Sequence, residues 1–266
     1  MVAGADILPP ITASLNPRSR LFRSASSESP TNKRQRRAKH AAAQRMQTLV
    51  GNPAYRDWSY RSPTCENGLV PILIEPTIPE GSFADAEQPV IGVSRSILLR
   101  PWDGGDAAAV VEAFQDPLIQ RWHVRRPDSV EEAAGWIEAW QSEWHKESGA
   151  HWAVVDPSSD LLLGRIGLKS IDLYDGTAEL VYWMTVPARG HGVCSNSVIA
   201  VSRWAFDDMS FNRLELEHSV DNVASCRVAG KAGFQFEGTR RMSARHADGW
   251  HNMHVHSLIR GDSIAG

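Results

Sequence analysis

The run Val186-Pro187-Ala188-Arg189-Gly190-His191-Gly192-Val193-Cys194-Ser195 lies between a segment with a strand's composition and one with a helix's periodicity. Upstream, Glu179-Leu180-Val181-Tyr182-Trp183-Met184-Thr185 has the β-branched and aromatic content of a buried strand. Downstream, Val198, Val201, Ala205 and Met209 recur at near-helical spacing and predict an amphipathic helix over 193–208. Strand, glycine turn and helix in that order set unpaired helix N–H groups, at the positive end of the helix dipole, beside the strand's C-terminal end. Gly190 and Gly192 carry no Cβ that would hold a ligand off the backbone, so the turn is suited to an anion, above all a phosphate. Two nucleotide-binding arrangements share this order and both fit poorly. No third glycine follows at the dinucleotide spacing, and no Gly-Lys-Ser/Thr closes the turn.

From about residue 94 the chain alternates between strand and helix patterns. Strands are predicted over 94–100, 151–156, 162–173 and 177–185, and helices over 104–115 and 129–146, the second opened by a capping box of Ser129 and Glu132. Tyr174-Asp175-Gly176 makes a hairpin of the last two of those strands. The helix over 193–208, a strand over 213–218, another helix and two strands ending near residue 260 complete the series. The predicted fold is α/β (α+β), a mixed sheet with helices on its faces. Trp136, Trp140 and Trp144 share one face of the 129–146 helix and read as a core stripe, with a pocket wall as the alternative.

The pattern Arg189-x-x-Gly192-x-Cys194 resembles the pyrophosphate-cradling motif of the GCN5-related N-acetyltransferases. About thirty residues on, Asn222-Val223-Ala224-Ser225-Cys226-Arg227-Val228-Ala229-Gly230-Lys231-Ala232-Gly233-Phe234 looks like that superfamily's second cofactor segment, in the branch containing the ribosomal-protein N-terminal acetyltransferases. With the opening Ile97-Leu98-Leu99-Arg100-Pro101-Trp102, the resemblance covers roughly residues 91–262. It departs from the pattern at Cys194, usually Gly or Ala, at Asn196, often Glu in this branch, and at Asn252, often Asp. The resemblance implies a mostly antiparallel central sheet and acetyl-CoA as co-substrate, held by Met184, Thr185, Val186, Arg189, Gly190, His191, Gly192, Val193, Cys194, Ser195 and Asn222.

Acetyl transfer to an amine needs a base, a donor to the developing oxyanion and an acid for the departing thiolate. The resemblance places the oxyanion donor at a backbone N–H near Met184 or Val186. It points to Ser225 as the acid, assisted by Asn222, and to Glu179 as the base. The plain reading of Asn222 and Ser225 is a helix cap with its first turn, and that of Glu179 a strand-end charge. His218, Glu217 and His191 are rivals for the base. A cysteine nucleophile has no accompanying histidine and acid. The ten histidines show no metal-ligand spacing and the reaction requires no metal, so none is expected. The acceptor implied is a primary amine, a protein or peptide α-amino group ahead of a small amine such as an aminoglycoside, polyamine or amino-acid analogue. A non-catalytic coenzyme-binding protein whose tail contacts nucleic acid is the alternative of another class.

Charge divides the chain. Residues 1–45 hold nine Lys or Arg against Asp6 and Glu28, a surplus of seven, whereas the whole chain is −3, which leaves −10 on the rest. Lys33-Arg34-Gln35-Arg36-Arg37-Ala38-Lys39 is the densest basic cluster, and so polar a stretch is expected to be disordered. It reads as a nucleic-acid or ribosome tether, an organelle-targeting peptide or a gene-model extension. Residues 46–90 are proline-broken and read as a linker, with a short strand over 69–74. The domain proper is expected over 91–262. Cys65, Cys194 and Cys226 form no close pair, which suits a reducing cytoplasm, and no apolar run of about eighteen residues exists to span a bilayer, so no membrane association is expected. A monomer or a homodimer is expected. Deleting residues 1–45 is expected to leave folding and acetyl transfer to a free peptide nearly unchanged. A tether predicts salt-sensitive RNA association, read by filter binding at low salt, that disappears on deletion.

Overall fold

The computed structural model describes residues 73–264, so the basic tail and most of the proline-broken segment lie outside the described residues. Eight strands form one sheet in the order β1-β2-β3-β4-β5-β6-β8-β7, where β1 is Ile91–Ser94, β2 Ile97–Pro101, β3 Gly149–Val155, β4 Leu162–Asp172, β5 Thr177–Met184, β6 Arg213–Ser219, β7 Gln235–His246 and β8 Gly249–Ile259. Every neighbouring pair is antiparallel except β5 and β6. The helices are α1 (Ala107–Ala113, entered through a 3₁₀ turn at Gly104–Asp106), α2 (Pro117–Arg121), α3 (Val130–His145), α4 (Val193–Asp207) and α5 (Val223–Lys231). The strand expected over 94–100 is in fact a hairpin, because the chain turns at Arg95 and Ser96, and α2 is an element that the periodicity did not show.

Helices cover both faces, so β3 is buried along its whole length. Ala150, Trp152 and Val154 point to a core shared with Val198, Val201 and Ala205 of α4, while Ala153 and Val155 meet Val110 of α1 and Ile137 of α3 on the other side. A fully buried Val, Leu or Ile contributes about 1.5–3 kcal/mol, so these two layers dominate the fold's stability. Trp144 lies in the first core, and Trp136 and Trp140 pack against the second, as the core-stripe reading requires. Ser129 caps α3 by accepting from the Glu132 N–H at 3.2 Å, but the Glu132 carboxylate accepts from Asp128 N–H at 2.7 Å, one residue short of the reciprocal box.

The body of the domain begins earlier than residue 91. Ile78 and Phe83 are fully buried, the Glu147 carboxylate accepts from Gly81 and Phe83 N–H at 2.9 Å each, and the Trp144 and Trp152 indoles donate to Ala86 and Pro89 carbonyls. Prolines there break regular structure without preventing burial, because side chains of α3, β3 and the loop between them satisfy the backbone. Leu73 and Ile74 are exposed and outside any strand; residues 69–72 of the expected strand lie outside the described residues.

A buried polar group crosses this sheet. His151 Nδ1 lies 3.1 Å from an Arg165 nitrogen, and its Nε2 lies 2.7 Å from Glu143 Oε2. Arginine only donates, so Nδ1 is the bare nitrogen and Nε2–H donates to Glu143. Burial, reinforced by the Arg165 charge, pulls the His151 pKa down to about 4, against which Glu143 acts only in part. Below its ordinary pKa of 6.5 the unfolded chain takes up a proton that the folded ring refuses, so stability falls as pH drops from about 6.5 toward 4. The full effect is about 3 kcal/mol. Denaturant midpoints across that window are expected to fall with pH, less steeply in His151→Gln; a flat wild-type profile would reject the neutral ring.

Candidate active site

The geometry of the site comes from a sheet pairing that stops. β5 and β6 are in register only from Thr177 opposite Arg213 to Glu179 opposite Glu215, although both strands run on, to Met184 and Ser219. Past that point they part, and the fork opens into a cleft of about 560 Å³. Tyr182, Met184, Arg189, Gly192, Asn222 and Ser225 are among the residues lining it.

One wall is the glycine turn and the start of α4. Gly192 occupies the N-cap position at φ 77° with no side chain to cap the helix, and Gly190 is also left-handed at φ 80°. A Cβ on Gly190 would meet nothing, so backbone conformation, more than crowding, calls for glycine there. The first N–H groups of an α-helix have no intrahelical acceptor, and here no cap side chain takes them. They face the cleft with the dipole's positive end. Arg189 does not add a free charge to this wall. Its guanidinium donates to the Met184 carbonyl at 2.8 and 3.0 Å and pairs with Asp116 at 2.5 Å, so it ties the turn to β5 and to the start of α2.

The fork itself supplies a donor. The Thr185 N–H reaches the Leu163 carbonyl on the β4 side at 2.9 Å. Since successive N–H groups of an extended strand point to opposite edges, that of Met184 faces the open edge. Across the cleft, Asn222 caps α5 by accepting from the Ser225 N–H at 3.1 Å, which fixes the helix start and turns Ser225 into the cleft lining. Beside it stands Tyr182, a residue that sequence reasoning left as strand filling. Burial, with Cys194 adjacent, pushes the Tyr182 hydroxyl's pKa upward against the opposing effect of Ser225, so the phenol keeps its proton. Burial likewise raises the Cys194 thiol, which argues against a thiolate nucleophile.

The sheet's other face carries the carboxylates. Strand alternation puts Glu179, Glu215 and Glu217 opposite the core side of Ala178, Leu214 and Leu216. Each has a basic partner: Glu179 pairs with Lys169 at 2.9 Å, Glu215 with Arg213 at 2.9 Å, and Glu217 with Arg240. Burial is the chief cause that raises the Glu217 pKa; Arg240 opposes it, while Glu179 and Glu215 add to it. Glu179 therefore stands at the last paired register of the fork, outside the cleft lining, as do Thr185, Val186 and the exposed His191. His218 is turned away toward His256, so it does not face the fork as a base. Ser219, His251 and Asp248 form a chain that sequence reasoning missed, at 2.7 and 2.8 Å, with Trp122 beside His251 on the cleft's rim. Asp248 and His251 are three residues apart, but Ser219 joins them only once β6 and β8 pair.

Comparison with known proteins gives the family of this fold. The Acetyltransferase (GNAT) domain model matches residues 96–235. The chain belongs to this family and is an acyltransferase, an N-acetyltransferase. The uncharacterized N-acetyltransferase YoaA of Bacillus subtilis is 24% identical over 173 residues, 65% of this chain and 97% of that protein. The ribosomal-protein-serine acetyltransferase of Escherichia coli is 27% identical over 100 residues, 38% of this chain and 56% of that protein. Among solved structures, the ribosomal L7/L12 alpha-N-protein acetyltransferase RimL with coenzyme A shares the fold at a TM-score of 0.61 and 19% identity, covering 65% of this chain and 98% of that one.

If the turn binds phosphate, a negative side chain at its cap should interfere. Gly192→Asp is expected to weaken coenzyme A binding about tenfold or more by calorimetry, and Gly192→Asn, which tolerates the same left-handed backbone without charge, considerably less. Equal affinities for the Asp variant and the wild type would place the phosphates elsewhere.

Proposed function

We propose that this enzyme transfers the acetyl group of acetyl-CoA to the α-amino group of a protein or peptide, by direct attack of the amine on the thioester. The observation that carries the reading is the fork: an anion-binding helix start on its coenzyme side and a carboxylate-rich sheet face on the other. Acetyl-CoA supplies an activated acetyl group; the residues of the chain orient it and move protons around it. The uncapped N–H groups of Gly192, Val193, Cys194 and Ser195 suit the pyrophosphate, and the open-edge N–H of Met184 suits the carbonyl oxygen as charge develops. Ser225 is assigned as the acid for the thiolate, with Tyr182 as a second hydroxyl able to deliver a proton.

Glu179 is assigned as the base. Its partner Lys169 is exposed, and an incoming ammonium can replace that cation before its proton passes to the carboxylate through water. Relatives whose names specify ribosomal-protein substrates support a protein acceptor for this chain. Small amines are the second reading, favoured by nothing in the geometry of the cleft. Incubation with acetyl-CoA and a panel of peptides and small amines, read by coenzyme release and product mass, separates the two. Acetylated peptide N-termini are expected; product from small amines alone would overturn the acceptor assignment.

Ser225→Ala is expected to leave coenzyme affinity nearly intact and to lower turnover by about 10²-fold, within the usual range for acid or base assistance. Glu179→Gln is expected to lose activity most at pH values where the amine is still protonated. Wild-type turnover in Ser225→Ala, with chemistry limiting, would leave that residue a helix-start serine.

A further inference from the structure

Sequence spacing predicts no metal-ligand arrangement among the histidines, yet the pairing of β6 with β8 assembles one. His218 on β6 stands directly opposite His254 on β8, and His256 lies two residues further along the same face. Cys226, one residue beyond Ser225 on α5, closes over them. One ligand atom from each of His218, Cys226, His254 and His256 lies within 4.8 Å of all the others. We propose that these four side chains form a binding site for a divalent transition metal of zinc's borderline softness.

The hydrogen bonding supports this. His218 Nδ1 lies 2.8 Å from the Ser219 carbonyl, which can only accept, so Nδ1 carries the proton and Nε2 presents its lone pair. A ring nitrogen fixed in this way, by donation from the other nitrogen to a carbonyl, is the usual support of a metal-bound histidine. That Nε2 is 3.1 Å from His256 Nε2. In tetrahedral coordination, with Zn–N near 2.0–2.1 Å and Zn–S near 2.3 Å, ligand atoms stand about 3.3–3.6 Å apart. The two imidazoles are close to this spacing, and the remaining ligand atoms, all within 4.8 Å, close in by side-chain rotation. The ordinary alternative is a buried histidine network held by its own hydrogen bonds. It leaves Nδ1 of His254, buried without a partner among the described residues, unexplained. An unsatisfied buried polar atom is costly, whereas a metal ion uses such a lone pair.

Four protein ligands fill a tetrahedral sphere, which makes the site structural in kind. On binding, the Cys226 S–H bond breaks, its proton goes to water and a sulfur–metal bond forms without change of oxidation state. The ion would tie α5 to β6 and β8 from behind, and α5 is the helix that carries Asn222 and Ser225 to the cleft. The metal thus positions the coenzyme wall without touching the reacting atoms.

Cobalt titration tests the site independently of acetyl transfer. Full-length protein stripped by a chelator and dialysed is titrated with Co²⁺, with Zn²⁺ as competitor. One equivalent is expected to give the intense visible absorption of tetrahedral cobalt together with a thiolate-to-cobalt band in the near ultraviolet, both abolished by Zn²⁺. Cys226→Ser is expected to lose the thiolate band and to weaken Co²⁺ binding by more than the roughly 10- to 100-fold typical of an outer-sphere change, while Cys194→Ser and Cys65→Ser keep the band. Should Cys226→Ser fail to fold, His254→Gln gives the second reading: a retained thiolate band, altered visible absorption and similarly weakened binding. Absence of stoichiometric Co²⁺ uptake, or a thiolate band unchanged in folded Cys226→Ser or binding unchanged in His254→Gln, would overturn the site.

Discussion

The structure depends on the early end of one strand pairing. β5 and β6 are the parallel neighbours in an otherwise antiparallel sheet, and they stay together for only three residue pairs. Had they paired to their ends, the edge of Met184 would be spent on β6 and no cleft would exist. Parting costs the hydrogen bonds of the remaining residues and leaves polar edges exposed, a loss tolerable only because both faces of the sheet are covered by helices with large buried cores. The separation exposes backbone donors at the place where a ligand with a carbonyl and a phosphate tail can use them.

The second constraint is the clamp of Arg189. Its guanidinium joins the Met184 carbonyl to Asp116, and Asp116 in turn caps α2 by accepting from Leu118 N–H at 2.8 Å. One half-buried arginine therefore fixes the end of β5, the glycine turn and the start of α2, from which Trp122 and His123 reach the rim of the cleft. The motif arginine works here by organising the backbone of the turn. The α4 helix start remains free of side-chain caps, and the charge on Arg189 is neutralised within the protein.

Much of the site was legible in the residues. Gly190 and Gly192 hold a left-handed backbone that most other residues adopt only with strain, so their pattern survives as a readable mark. Asn222 announced a helix start through its preference for the cap, and Ser225 follows at fixed spacing. The segment of residues 78–89 was not legible as part of the domain: its prolines predict loop, and loop it is, but Ile78 and Phe83 find their burial against residues far along the chain. Arg189 was legible as a motif residue and illegible in its role, because Asp116 is its partner only after α2 has folded against the turn.

The sequence by itself determined the strands and most helices, the family and the left-handed glycine turn proposed for the anion, since periodicity, caps and glycine conformation are local properties set within a few residues. Only the tertiary structure decided where β5 leaves β6, which carboxylates share a face, that Tyr182 stands beside Ser225 and that His218, Cys226, His254 and His256 converge. Those relations join residues distant along the chain, and their distances arise from sheet register and helix packing, which no single segment sets alone.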